Sequence, residues 1–251
     1  MPTNFLSLPS EVRNDIYEQL LVLQTPVACP THPWLGRSQV RVLTPGLLLA
    51  NKAVHSEASS LLYAQNRFDF TLCTPEHVAS FLEQIGRNNA DYIRHIRIDF
   101  PDFGYLEPND VTFEDDSLRI LAKIQSDCAN LSTLTTSLSS TYAMELRLDA
   151  LDNFRVVGEA LKLVNTRFRA ISSLQEIIVE VYEDGPSDHM RREMKSHGWT
   201  ISTTEYVEES GFDESFSDLE DYYSGYDDDG GDCDDDYDID NDSDFWRRAG
   251  D

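Results

Sequence analysis

Leu151-Asp-Asn-Phe-Arg-Val-Val-Gly-Glu-Ala-Leu-Lys-Leu-Val-Asn-Thr-Arg-Phe-Arg-Ala170, followed closely by Leu174-Gln-Glu-Ile-Ile-Val-Glu-Val-Tyr182, is the stretch from which the fold is read. Its first part places Val156, Leu161 and Val164 on one helical face and turns Arg155, Lys162, Arg167 and Arg169 to the other. Its second part is rich in β-branched residues, the strongest strand signal in the chain. A helix running into such a strand is half of a strand-crossover-strand unit.

The same order recurs on both sides. Thr74 is a cap, Pro75 a first helical residue and Gly86 a stop, so residues 74–86 read as a helix, followed by a strand at Ile93–Phe100. A helix over Asp115–Ala129, with Leu118, Leu121, Ala122 and Ile124 inward, leads into a strand at Leu131–Leu138. Downstream come a short basic helix, Ser187–His197, and a last strand, Trp199–Tyr206. Helix then strand, repeated at roughly 40-residue intervals, predicts an α/β or mixed α+β fold with a mostly parallel sheet. We expect three to five strands. The strands at 92–98, 131–135 and 174–179 also sound like degenerate leucine-rich-repeat strands, without the asparagine ladder or fixed period of that class.

The N-terminal part is organised differently. A helix from Pro9 to Leu23 carries Val12, Ile16, Leu20 and Leu23 as its expected buried face, with Tyr17 and Leu21 widening it. Residues 24–46 hold Pro26, Pro30, Pro33, Pro45, Gly36 and Gly46, a proline-rich insertion with room for a short strand at Val40–Leu43. A second helix is expected over Leu47–Ala64, with Leu47, Ala50, Val54, Ala58 and Leu61 inward, and then a strand over Arg67–Leu72.

Leu8-Pro9-Ser10-Glu11-Val12-Arg13, with Ile16-Tyr17 and Leu20-Leu21, resembles the opening helix of F-box and F-box-like proteins. Asn51, Lys52, His55, Glu57, Ala58, Leu61, Leu62, Tyr63, Asn66 and Phe68 look like the second block of a large F-box-like group of filamentous-fungal proteins. The resemblance spans residues 5–72. It implies an interaction module at 1–72 and, for true F-box members, delivery of substrates to a cullin-type ubiquitin ligase. In that case Leu8, Pro9, Val12, Ile16 and Leu20 would contact the ligase adaptor. An α/β domain at 73–204 would present a surface to a further, unidentified protein.

Charge divides the chain again. The 251 residues carry a formal net charge of −26. Residues 205–251 hold 20 acids against Arg247 and Arg248, so the tail carries −18 and the rest −8. So acidic a chain disfavours nucleic-acid phosphates and anionic membranes as partners. The tail reads as a disordered acidic extension. Phe212, Phe216, Tyr222, Tyr226, Phe245 and Trp246 are interleaved in it, so basic proteins, histones among them, are its alternative partners. A nuclear regulator working through this tail is therefore the alternative function. Local positive stretches at Arg155–Arg169 and Arg191-Arg192 could also receive the tail.

Chemical motifs are missing. There is no P-loop, no G-x-G-x-x-G, no G-x-S-x-G and no H-E-x-x-H. Cys29, Cys73, Cys128 and Cys233 stand singly, which suits reduced thiols in the cytoplasm or nucleus. Cys29 and His32 lack two further ligands for a zinc site. Asp236, Asp238 and Asp240 imitate an EF-hand opening, but Asn241 and Arg247 stand where Gly and Glu are needed. His55 beside Ser56 and Glu57 reads as a packing or hydrogen-bonding residue. The expectation is a protein-interaction protein, not an enzyme, with no cofactor and no metal.

Overall fold

The computed structural model describes residues 5–29, 45–151 and 153–205. The described residues belong to one compact unit, and residues 206–251, with the acidic-tail reading, lie outside them. The expected strand at Val40–Leu43 lies outside them too.

Six strands build one parallel sheet: β1 (Val27–Ala28), β2 (Arg67–Asp69), β3 (His95–Ile98), β6 (Thr133–Thr136), β7 (Glu176–Tyr182) and β8 (Thr200–Thr204), in that spatial order. β4 (Phe103–Glu107) and β5 (Asp110–Phe113) form a separate antiparallel hairpin. The α/β reading holds, with one strand more than the expected upper limit. Two of the six, β1 and β2, come from the segment read as a helical module.

Spatial order follows sequence order, so the chain never doubles back across the sheet. Crossovers between parallel neighbours are right-handed almost without exception, so successive ones fall on the same side. α1 (Ser10–Leu21) precedes the first strand, and the helices α2 (Lys52–Gln65), α3 (Pro75–Ile85), α4 (Asp115–Asp127), α5 (Leu138–Asp149), α6 (Phe154–Arg169) and α7 (Asp188–Ser196) lie in the connections. On β2, β3, β6 and β7 alternate residues are buried: Phe68, Ile96, Ile98, Leu134, Ile177, Val179 and Val181. They meet Val78, Phe81, Ile124, Val157, Leu161, Val164 and Phe168 from the helices in the main core. The alternate residues stay exposed or half-buried in most positions. The sheet thus has one covered and one open face.

Local signals explain the element ends. Thr74 Oγ1 accepts from the His77 backbone and the His77 ring accepts in return from the Thr74 backbone, a reciprocal cap on α3. Gly86 ends that helix at φ +77°, where a Cβ would be strained. The helix expected over Leu47–Ala64 is divided. A single turn at Pro45–Leu48 stops, and Asn51 caps α2 by accepting from the Ala53 and Val54 amides at 3.0 Å. β1, the β4–β5 hairpin, the short helix at Arg87–Ala90 and α5 have no counterpart in the sequence reading.

A smaller second core holds α1 to α2: Tyr17, Leu21, Val54, Ala58, Leu61 and Leu62, with Phe5 and Val22 against it. Tyr63 touches both cores, and so joins the helical pair to the sheet.

Candidate functional site

The buried face of α1 is not the one its periodicity suggests. Tyr17 and Leu21 are fully buried, whereas Val12 and Leu20 are each 41% exposed. At 100° per residue, the series 13, 17, 21 lies one residue's rotation from the series 12, 16, 20. The expectation that Val12, Ile16 and Leu20 form the inward face is therefore corrected by that rotation.

The correction has a polar cause. Arg13 donates to both Glu57 oxygens, Nε at 2.9 Å and Nη2 at 2.6 Å, a two-point fork between α1 and α2. Its Nη1 donates to the Leu8 carbonyl at 2.6 Å, and the Tyr17 hydroxyl donates to Glu57 at 3.1 Å. The Arg13 hydrogen bond holds the Glu57 carboxyl below its usual range. Burial, then the bond to Glu57, pushes the Tyr17 hydroxyl up. At the far end Asn66 donates to the Leu21 and Leu62 carbonyls, each at 2.8 Å, and accepts from the Leu23 amide at 2.8 Å. One amide thus closes the C-terminal ends of both helices. Most motif residues behind the resemblance act inside the molecule: Arg13, Tyr17, Asn51, Glu57, Ala58, Leu61, Leu62, Asn66 and Phe68.

The residues named as adaptor contacts lie elsewhere. Pro9, Val12 and Leu20 are exposed and Leu8 and Ile16 half-buried, with Leu6 at 38% exposure close by in sequence. An apolar stripe on the outside of a short helix, backed by a rigid inner face, offers a surface to a partner.

The open sheet face is a second surface. Registration sets Arg67, His95, Thr133 and Glu176 side by side in one row, and Asp69, Arg97, Thr135 and Ile178 in the next. These eight, with Pro26, Ile96 and Glu180, line a concavity of about 470 Å³. Arg97 lies across it, bonded to Asp69 at 3.0 Å on β2 and to Glu180 at 2.7 Å on β7. Thr135 on β6 stands next to Arg97 in the same row, between β3 and β7. Burial works against the Arg97 charge, but the hydrogen bond and charge of Glu180, helped by Asp69, raise its pKa above the ordinary value. Burial, and after it the neighbouring Arg67, push the His95 imidazole down. The concavity is basic toward Arg67 and acidic toward Glu176 and Glu180.

Chemistry beyond binding is sparse among the described residues. None of their His, Cys, Asp and Glu side chains gather in threes that could hold a metal ion. Cys29 is buried, with its Sγ 4.0 Å from the His77 carbonyl, and His32 lies outside the described residues. The EF-hand-like aspartates of the tail lie outside them as well. Burial pushes the Cys128 thiol up to about 12, which keeps it protonated and unreactive. No described helix is long and apolar enough to cross a membrane. A search of protein-family models matches none to this chain, and no curated protein and no solved structure shows significant similarity to it.

Proposed function

We propose that this chain is a non-enzymatic protein-interaction protein of the F-box-like kind, a substrate-recognition subunit for a cullin-type ubiquitin ligase in the cytoplasm or nucleus. In this reading the outer stripe of α1, made of Leu8, Pro9, Val12, Ile16 and Leu20, docks on the ligase adaptor. The open sheet face, with its ordered charge, receives the protein to be delivered. The observation that carries the reading is the outward display of Val12 and Leu20 on a helix whose inner side is locked by Arg13, Tyr17 and Glu57. Among the described residues the fully buried side chains of α1 are on its inner side, which leaves the exposed Val12 and Leu20 available to a partner.

Purified adaptor immobilised on a sensor tests this directly. Wild-type full-length chain should bind, and the Val12→Asp, Leu20→Asp double variant should lose the signal while keeping its melting temperature. Absence of binding by folded wild type contradicts the ligase reading, and so does full binding by the folded double variant.

A further inference from the structure

A second concavity, of about 400 Å³, lies between α2 and the turn at residues 85–92. His55, Ser56 and Ser59 reach it from one side of α2, and Arg87, Asn88 and Tyr92 from the turn. None of the residues lining it is acidic, in a chain with 46 acids against 20 bases. Lys52, another cation, stands one turn before Ser56 on the same side of the helix.

The polar groups here are unspent. Ser59 is 3% exposed, yet its hydroxyl makes no hydrogen bond to any described residue, whereas its neighbour Ser60 donates to the Glu57 carbonyl at 2.8 Å. Among the described residues the side chains of Ser56, Arg87, Asn88 and Tyr92 also make no hydrogen bond or ion pair. His55 engages the Leu48 carbonyl through Nδ1 at 2.9 Å, which leaves Nε2. The acid that feels the Arg87 charge, Asp127, is already held by Lys123 at 2.9 Å and Ser126 at 2.5 Å. A guanidinium, two serine hydroxyls and an amide around one hollow supply several donors and no competing carboxylate. A phosphate, with several acceptor oxygens and up to two charges, satisfies that set better than a flat carboxylate does. Ile85 and the Tyr92 ring give an apolar wall for the rest of a ligand, and the volume suits a small molecule.

We propose that this concavity binds a small phosphate monoester, its phosphate held by Arg87, Ser56 and Ser59 and its body laid against Tyr92. This goes beyond the F-box-like reading and does not depend on it.

Calorimetric titration of the full-length chain at fixed ionic strength tests it, with phenyl phosphate as probe. Phenyl phosphate should bind saturably at one site, inorganic phosphate should compete, and benzoate should bind at least about tenfold more weakly. Arg87→Gln and Ser59→Ala should each weaken phenyl phosphate by about tenfold or more, and Arg155→Gln, on a distant exposed arginine, should not. Arg87 is exposed, so its variant remains folded and decides the matter even if Ser59→Ala unfolds. No saturable binding, no competition by phosphate, benzoate as tight as phenyl phosphate, or unchanged binding by Arg87→Gln overturns the proposal.

Discussion

The two sides of α1 differ by one residue's rotation and by everything else. Arg13, Tyr17 and Leu21 face α2, where they meet a carboxylate, a hydroxyl-bonding network and a small apolar core. Val12 and Leu20 are also apolar and are each 41% exposed. Apolarity alone therefore does not say which side of a helix is structural. The polar fork from Arg13 to Glu57 does, because a two-point hydrogen bond has one geometry and a methyl contact has many. What packing does not use is left for association.

That contrast can be broken from the inside first. Leu21→Ala removes a fully buried side chain from a six-residue core and should cost about 2–5 kcal/mol in a urea titration. A loss below about 1 kcal/mol would mean that α1 packs loosely and that its inner side is not fixed.

The body of the molecule offers a second, pH-dependent contrast. Glu145 on α5 is 3% exposed, its Oε1 lacks a partner among the described residues, and burial raises its pKa from 4.5 to about 7. A carboxyl raised in the folded state binds more protons there than when unfolded. Its contribution is therefore full below pH 4.5 and is lost as pH rises through about 7. Glu145→Gln should remove that loss and raise stability at pH 8 by about 2 kcal/mol, with little change at pH 4. Equal effects at both pH values would contradict a buried carboxyl with a raised pKa.

Glu57 should behave in the opposite sense and more weakly. Its folded pKa is depressed by Arg13, so its contribution is present above the unfolded value and lost as pH falls through the folded one. Stability of wild type should therefore drop below pH 4.5 more steeply than that of Glu57→Gln, with the variant less stable at pH 7. Parallel pH profiles would show that the fork contributes nothing. Smallest of all, Val12→Asp with Leu20→Asp should change stability by no more than about 0.5 kcal/mol per site.

How much of this was legible in the sequence varies with the physics involved. The α3 ends were readable residue by residue, because Thr74, Pro75 and Gly86 each solve a local backbone problem at a helix terminus. The parallel α/β plan followed from helix–strand alternation. The orientation of α1 was not readable, because two apolar stripes lie side by side on it and the deciding partner, Glu57, is 44 residues from Arg13. The hairpin was hidden by Pro108 and by Asn109, which takes φ +66° in its turn, in strands with few β-branched residues. In α5 the opening residue, Leu138, was read as the last residue of a strand and residues 139–149 were not read as a helix, although Ser137 caps one there by accepting from the Ser140 amide.

The open sheet face was missed although its signal was present. Buried parallel strands usually read as unbroken apolar runs. Here Arg67 and Asp69, His95 and Arg97, Thr133 and Thr135, and Glu176 and Glu180 put polar groups at alternating positions in four strands. That alternation in a parallel sheet marks a face without helices, and registration turns it into a charged concavity.

The division of α1 into a locked and a displayed side is best tested by thiol labelling of single-cysteine probes. Leu20→Cys and Leu21→Cys, one residue apart, are exposed to a maleimide under native conditions and the modified site is located by mass spectrometry. The account predicts fast modification at position 20 and modification at position 21 only as fast as the pair of helices opens. Similar rates at both positions, or protection at 20 with reaction at 21, would contradict it.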